Sequence, residues 1–183
     1  LEQSIESDSH SISALGAPVP VFAHVPLILG PDKKRLSKRH GATAVGEYDG
    51  HGYLPEAMVN FLGLLGWHPQ DDREVFTRDA LVEAFDLRRV QKGGAVFDQD
   101  KLDWLNHEHL KRLSEEDLSR RLETYRRHRS GADSSHEFWS VAAIRALRDR
   151  AKTLKDFFEM GAFFVDLPDY SPELLIWKND DRS

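Results

Sequence analysis

Residues 33–40 read Lys-Lys-Arg-Leu-Ser-Lys-Arg-His, so five cations fall within the seven positions 33–39, and Gly41 follows directly after. Charge packed this densely on a short segment creates a strong local positive potential, whose natural counterpart is a phosphate chain. Lysine suits a mobile clamp because its ammonium is a compact point charge on a long stem, whereas arginine offers a planar fork. Leu36, alone among the charges, makes sense as an anchor against the protein body. Ser37 can donate or accept a hydrogen bond at a bend. A cationic loop is in general more often a solvated face than a catalytic one. Charge alone therefore marks a phosphate-binding candidate and no more.

Two more basic clusters lie downstream. Lys111, Arg112, Arg120, Arg121, Arg126, Arg127 and Arg129 set seven cations against four acids over residues 111–129. Arg145, Arg148, Arg150, Lys152 and Lys155 set five against one over 145–155. On helices lying side by side they would form a groove for a nucleic-acid backbone, held chiefly by phosphate contacts. The competing reading is a solvated face laced with ion pairs. The nine histidines suggest no metal centre. His107 and His109 stand two apart on an expected helix, point to different faces, and find no third ligand by spacing. No protein-bound metal is expected.

The rest of the chain must position these groups. At 183 residues, 40% hydrophobic and 31% charged, it has the composition of a globular protein of one or two domains. No apolar run approaches the ~20 residues of a membrane-spanning helix, and the acidic, polar start at Leu1–Asp8 does not read as a secretory signal. The absence of an initiator Met suggests that the chain begins inside a longer one. There is no cysteine, which excludes disulfides and thiolate zinc sites and is compatible with a cytoplasmic location. The net charge of −6 is unevenly spread: residues 1–45 carry +1, 46–118 carry −8 and 119–183 carry +1. Local basic surfaces can therefore still meet a polyanion.

Hydrophobic spacing predicts a mainly α fold. Val21–Leu29 is a short apolar run with the character of a buried strand, ended by the turn signal Gly30-Pro31-Asp32. Pro55 fits the first turn of a helix carrying Leu54, Met58, Phe61, Leu62 and Leu65, with Gly66 as its stop. Thr77 is the expected N-cap of a helix burying Leu81, Val82 and Phe85, and Asp98 that of a helix carrying Leu102, Trp104 and Leu105. Ser114 and Asp117 resemble a capping box ahead of Leu118, Leu122 and Tyr125. Residues 129–135 read as a loop, followed by helices over about 136–149 and 153–165 and one more from Pro168. Trp67, Trp104 and Trp139 are expected in the core.

Arg35-Leu36-Ser37-Lys38-Arg39 resembles the KMSKS signature of class I aminoacyl-tRNA synthetases, in the form used by the glutamyl and glutaminyl enzymes. Phe22–Leu29 before it and His40-Gly41-Ala42 after it are similar to the bacterial-type glutamyl-tRNA synthetase family. So are Gly52-Tyr53-Leu54-Pro55-Glu56-Ala57, Asn60-Phe61-Leu62, Leu64–Trp67, Phe85-Asp86-Leu87, Ala95–Asp98 with Lys101-Leu102, and Trp104-Leu105-Asn106. The strong match spans about residues 20–113, with weaker similarity through Lys152-Thr153-Leu154. The resemblance implies the end of a catalytic region over residues 1–45, a stem-contact helical domain over 46–118 and part of a helical anticodon-binding domain over 119–183. It implies a monomeric enzyme that activates glutamate with ATP, which Mg2+ accompanies, and passes it to the 3′ end of tRNA(Glu). Lys38 then matches the ATP-contacting second lysine. Arg35, Leu36, Ser37 and Arg39 complete the ATP loop. Arg120, Arg121, Arg126, Arg127, Arg145 and Arg148 become candidates for tRNA contact.

Several features depart from the family pattern. No His-x-Gly-His motif is present, since His51-Gly52 lies downstream of the loop. Arg35 replaces the usual first Lys, Gly93-Gly94 stand where Ser-Pro is usual, and residues 6–11 read poorly as the helix expected there. The isolated chain is therefore expected not to form the adenylate. The alternatives are a non-catalytic tRNA-binding module from a truncated paralogue, or a glutaminyl-tRNA synthetase, disfavoured by the helical reading of residues 119–183.

Overall fold

The structure, a computed structural model, describes residues 9–21, 26–37, 39, 44–130 and 139–164. It is built mainly from helices: α1 (residues 9–14), α2 (Val45–Gly50), α3 (Pro55–Leu64), α4 (Arg78–Ala84), α5 (Gln99–Arg112), α6 (Glu115–Ser130), α7 (Val141–Arg148) and α8 (Leu154–Gly161). Two short strands, β1 (Ile28–Leu29) and β2 (Ala95–Val96), pair in parallel, with Ile28 opposite Ala95 and Leu29 opposite Val96.

Local chemistry explains most boundaries. Pro55 opens α3, where its missing N–H costs nothing. Thr77, Asp98, Ser140 and Thr153 each accept a hydrogen bond from the backbone N–H three residues on, capping α4, α5, α7 and α8. Ser114 Oγ does the same for Asp117 N at 3.0 Å, at the start of α6. Residues 9–14 are helical despite their serines. The helix ends in a Schellman arrangement: Gly16 has φ +70°, Ala17 N–H reaches Ile12 O and Gly16 N–H reaches Ser13 O.

The core is a run of packed helix faces. Leu54, Ala57, Leu110, Leu118, Leu122, Tyr125, Trp139, Ile144, Leu147, Leu154 and Phe157 form one cluster. Tyr48, Met58, Phe61, Leu102 and Leu105 form a second between α3 and α5, and Trp67, Phe76 and Leu81 form a third. Position 118/119 lies inside α6, and the first cluster draws on both sides of it.

Several expectations need correction. Val21 and Leu27 are exposed and the strand is reduced to two residues, so the described part of the apolar run is not buried. Among the described residues two strands pair, too few to cover it. Leu62, Val82 and Trp104 face outward from their helices, and Phe85, at the end of α4, is half-exposed although one side of its ring meets Trp67. Gly66 follows the C-cap of α3 directly, as expected of its stop, but without a left-handed φ. The helix ends at Leu64, and its C-cap Leu65 is in right-handed geometry. Residues 129 and 130, expected in a loop, continue α6. The expected helix over 136–149 begins at Val141 among the described residues. The helix from Pro168 lies outside them.

Candidate functional site

The cationic segment grows out of a tight hairpin. Gly30 O accepts from Lys33 N at 2.9 Å, and Gly30 N–H donates to Lys34 O at 2.7 Å. Lys33 sits at φ +58°. This is a three-residue loop of turn plus left-handed bulge, for which Pro31 supplies the fixed φ. Asp32 Oδ1 accepts from Lys34 N at 3.0 Å and reinforces it. The returning arm bridges Leu29 to Arg35, and Leu36 N–H donates to Ile28 O at 2.9 Å. The far side of β1 is held by β2, with Phe97 N–H donating to Leu29 O at 2.8 Å. Gly94 permits that approach, since a Cβ there would stand 3.0 Å from Leu27 O.

This frame places the predicted loop residues. Arg35 is exposed, and its side chain has no hydrogen-bond or ion-pair partner among the described residues. Leu36 and Ser37 are half-buried. Arg39 is exposed, with its Nη2 3.6 Å from Asp32 Oδ2. Lys38, His40 and Gly41 lie outside the described residues.

Of the six downstream arginines, two line one cleft. Arg120 and Arg121 line a cleft of about 590 Å³ between α6 and the α2–α3 connection, together with Thr124, Tyr125, His128 and Arg129. Arg120 pairs with Asp117, one turn back. Arg121 grips Glu56 of α3 through two bonds of 3.2 and 2.5 Å. Burial pushes the Glu56 carboxyl up, but the Arg121 bonds, a backbone N–H and the nearby positive charge together outweigh it and lower its pKa. Arg126 and Arg127 both pair with Glu123. Arg145 lies outside the cleft and is bound to Glu115 at 2.5 Å. Arg148 donates to the carbonyls of Leu110, Lys111 and Leu113, closing the C-terminal end of α5.

Sequence reasoning missed the polar groups that tie these elements together. Asn106, fully buried, accepts from Leu54 N at 2.7 Å and donates to Lys152 O at 2.5 Å. Asn60 Oδ1 accepts from Phe76 N at 2.8 Å and meets His109 Nε2 at 3.0 Å. His107 Nδ1 instead faces Ala151 O at 2.8 Å, so the two histidines do point to different elements. Desolvation lowers the His109 pKa, and nearby Arg112 adds to it. Tyr53 donates to Asp103 at 2.5 Å; burial and that bond raise its pKa. Gly52, at φ +84°, accepts from Leu154 N, and a Cβ there would stand 2.6 Å from Lys155 N. The available signal was an amide inside an apolar helical run, as in Asn60-Phe61-Leu62 and Leu105-Asn106.

Residues 3–104 match the family described as tRNA synthetases class I (E and Q), catalytic domain, and the chain belongs to that family. Within it the chain is similar to glutamate–tRNA ligases. It is 46% identical over 169 residues to the one from Anaeromyxobacter sp. (strain Fw109-5), covering 92% of this chain and 34% of the relative. It is 45% identical over 153 residues to that of Bordetella petrii, covering 84% and 32%. A solved glutamate tRNA ligase from Elizabethkingia meningosepticum, in complex with its amino acid, superposes with a TM-score of 0.76 at 30% identity, over 94% of this chain and 39% of that one. The synthetase from Elizabethkingia anophelis gives 0.73 at 31%, over 90% and 37%. The chain spans about a third of the length of the curated relatives it matches.

Proposed function

We propose that this chain supplies the ATP loop and the tRNA-docking helices of a glutamate–tRNA ligase, which activates glutamate with ATP and transfers it to the 3′ end of tRNA(Glu). The observation that carries the reading is a cationic segment matching the KMSKS pattern, set in a chain 46% identical over 92% of its length to such a ligase. Negative charge builds on the departing pyrophosphate during activation. A cation held where that charge appears lowers the barrier without covalent chemistry. Lys38 has this role, Arg35 and Arg39 add to the potential, and Leu36 anchors the segment. Mg2+ enters with ATP, bound to its phosphates. In this reading residues 1–45 end the catalytic region, 46–118 are stem-contact helices, and 119–183 begin the anticodon-binding part.

The test is a chimera in which this chain replaces the aligned third of the Anaeromyxobacter ligase. It is expected to support glutamate-dependent ATP–pyrophosphate exchange, and Lys38→Ala to lower kcat by roughly 10²–10³-fold. Exchange unchanged by Lys38→Ala sinks the assignment of that residue. Exchange by the 183-residue chain alone sinks the view that the adenylate site needs more than this third. tRNA binding without exchange in a folded chimera favours a non-catalytic docking module. For the helices, affinity for tRNA(Glu) is expected to fall steeply with salt. A salt-independent affinity argues against phosphate contacts by Arg120, Arg121, Arg126, Arg127, Arg145 or Arg148.

A further inference from the structure

We infer that Asp32 is a built-in counter-ion of the cationic hairpin, a positioning residue that holds Arg39 until a polyphosphate displaces it; this rests on the phosphate-loop reading above. The two oxygens of Asp32 do different work. Oδ1 accepts from Lys34 N–H at 3.0 Å and shapes the turn. Oδ2 lies 3.6 Å from Arg39 Nη2. Asp32 belongs to the hairpin turn and Arg39 to the end of the cationic segment, so the pair links the two ends of that segment. Lys33, Lys34 and Arg35 are exposed and have no carboxylate partner among the described residues. The pair is exposed on both sides, with the Arg39 side chain 66% accessible. Such pairs are weak, as a displaceable holder must be. A polyphosphate offers the Arg39 fork several charged oxygens in place of one carboxylate, the stronger match for a guanidinium. Asp32 thus competes with the ligand for Arg39, and its charge sets how readily the loop engages.

The probe is inorganic tripolyphosphate, titrated calorimetrically at low salt into the 183-residue chain. Asp32→Asn keeps the Oδ1 acceptor for Lys34 but removes the charge. It is expected to tighten binding by roughly two- to five-fold, while Asp32→Glu stays near the native value. In an Arg39→Gln background the same Asp32→Asn change is expected to have a clearly smaller effect, what remains being direct repulsion. Equal tightening in both backgrounds means simple repulsion between Asp32 and the phosphates, and overturns the proposal. Absence of tightening in the native background also overturns it. A readout independent of ligand is the nitrogen–proton NMR signal of the Arg39 Nη2 group, expected to exchange faster with water in Asp32→Asn. An unchanged Arg39 signal again overturns the pairing. If the native chain does not bind tripolyphosphate, the phosphate-loop reading fails, whereas binding without Asp32–Arg39 coupling removes this proposal alone.

Discussion

In the helical body the chain answers its own charges: Arg121 lies against Glu56, Arg126 against Glu123, Arg145 against Glu115, and Arg148 against the carbonyls ending α5. In the hairpin, Lys33, Lys34 and Arg35 stand exposed without a carboxylate among the described residues, and one acid, Asp32, reaches Arg39. The same residue type does two jobs. Matched and partly buried, arginine joins helices. Unmatched on a tight turn, it stores potential for a ligand. Counting cations along the chain cannot separate these cases, because the separation depends on where the carboxylates of other elements arrive.

If this contrast is right, perturbing the body should change stability and perturbing the hairpin should change binding. The largest effect is expected from Asn106→Ala, which strands Leu54 N–H and Lys152 O in the core. A loss of about 2–4 kcal/mol in urea unfolding is expected, and a loss near zero would show that water replaces the amide. Gly52→Ala follows, at about 1–3 kcal/mol or more, because a left-handed φ and the backbone of α8 both oppose a Cβ. Thermal unfolding of this variant within error of the native chain would mean that the α2–α8 junction is loose.

A pair of arginines sharpens the comparison inside the body. Arg148→Met should cost about 1–3 kcal/mol, because three carbonyls lose their donor, whereas Arg145→Met on the solvated face should leave the midpoint unresolved from native.

His109 predicts a modest pH effect. Burial depresses its folded pKa below the unfolded value of about 6.5, so the unfolded chain takes up a proton more readily. Its contribution is present above about pH 6.5 and is lost as pH falls toward the folded value. His109→Gln should flatten stability between pH 7.5 and 5.5, and an undiminished slope would assign the acid sensitivity to other groups. The smallest effect on stability is expected at Arg35→Gln: no change in the urea midpoint, with tripolyphosphate bound roughly two- to five-fold more weakly.

Much of this was legible locally. Caps at Thr77, Asp98 and Ser114, the proline opening α3 and the turn at Gly30-Pro31-Asp32 depend on residues within three or four positions of each other, so the chain declares them directly. Outward-facing Leu62, Val82 and Trp104 were misjudged for the opposite reason. Periodicity marks an apolar stripe but not which part of it a neighbour covers. The described part of the 21–29 run failed as a buried strand because burial needs a second layer that these residues do not bring.

By itself the sequence determined the helical class, most helix starts, the cationic segment and the family to which the segment's pattern points. Each is set by spacing over a few residues, where backbone geometry leaves few options. Tertiary structure alone decided which cations are matched, that Asn60 and Asn106 fasten α3 and α5 to distant backbone, that Gly52 must yield to α8, and that Asp32 reaches Arg39. Those contacts join residues through packing and turn geometry. Charge and hydrogen-bond energies fall off over a few ångströms, so they follow distance in space rather than order along the chain.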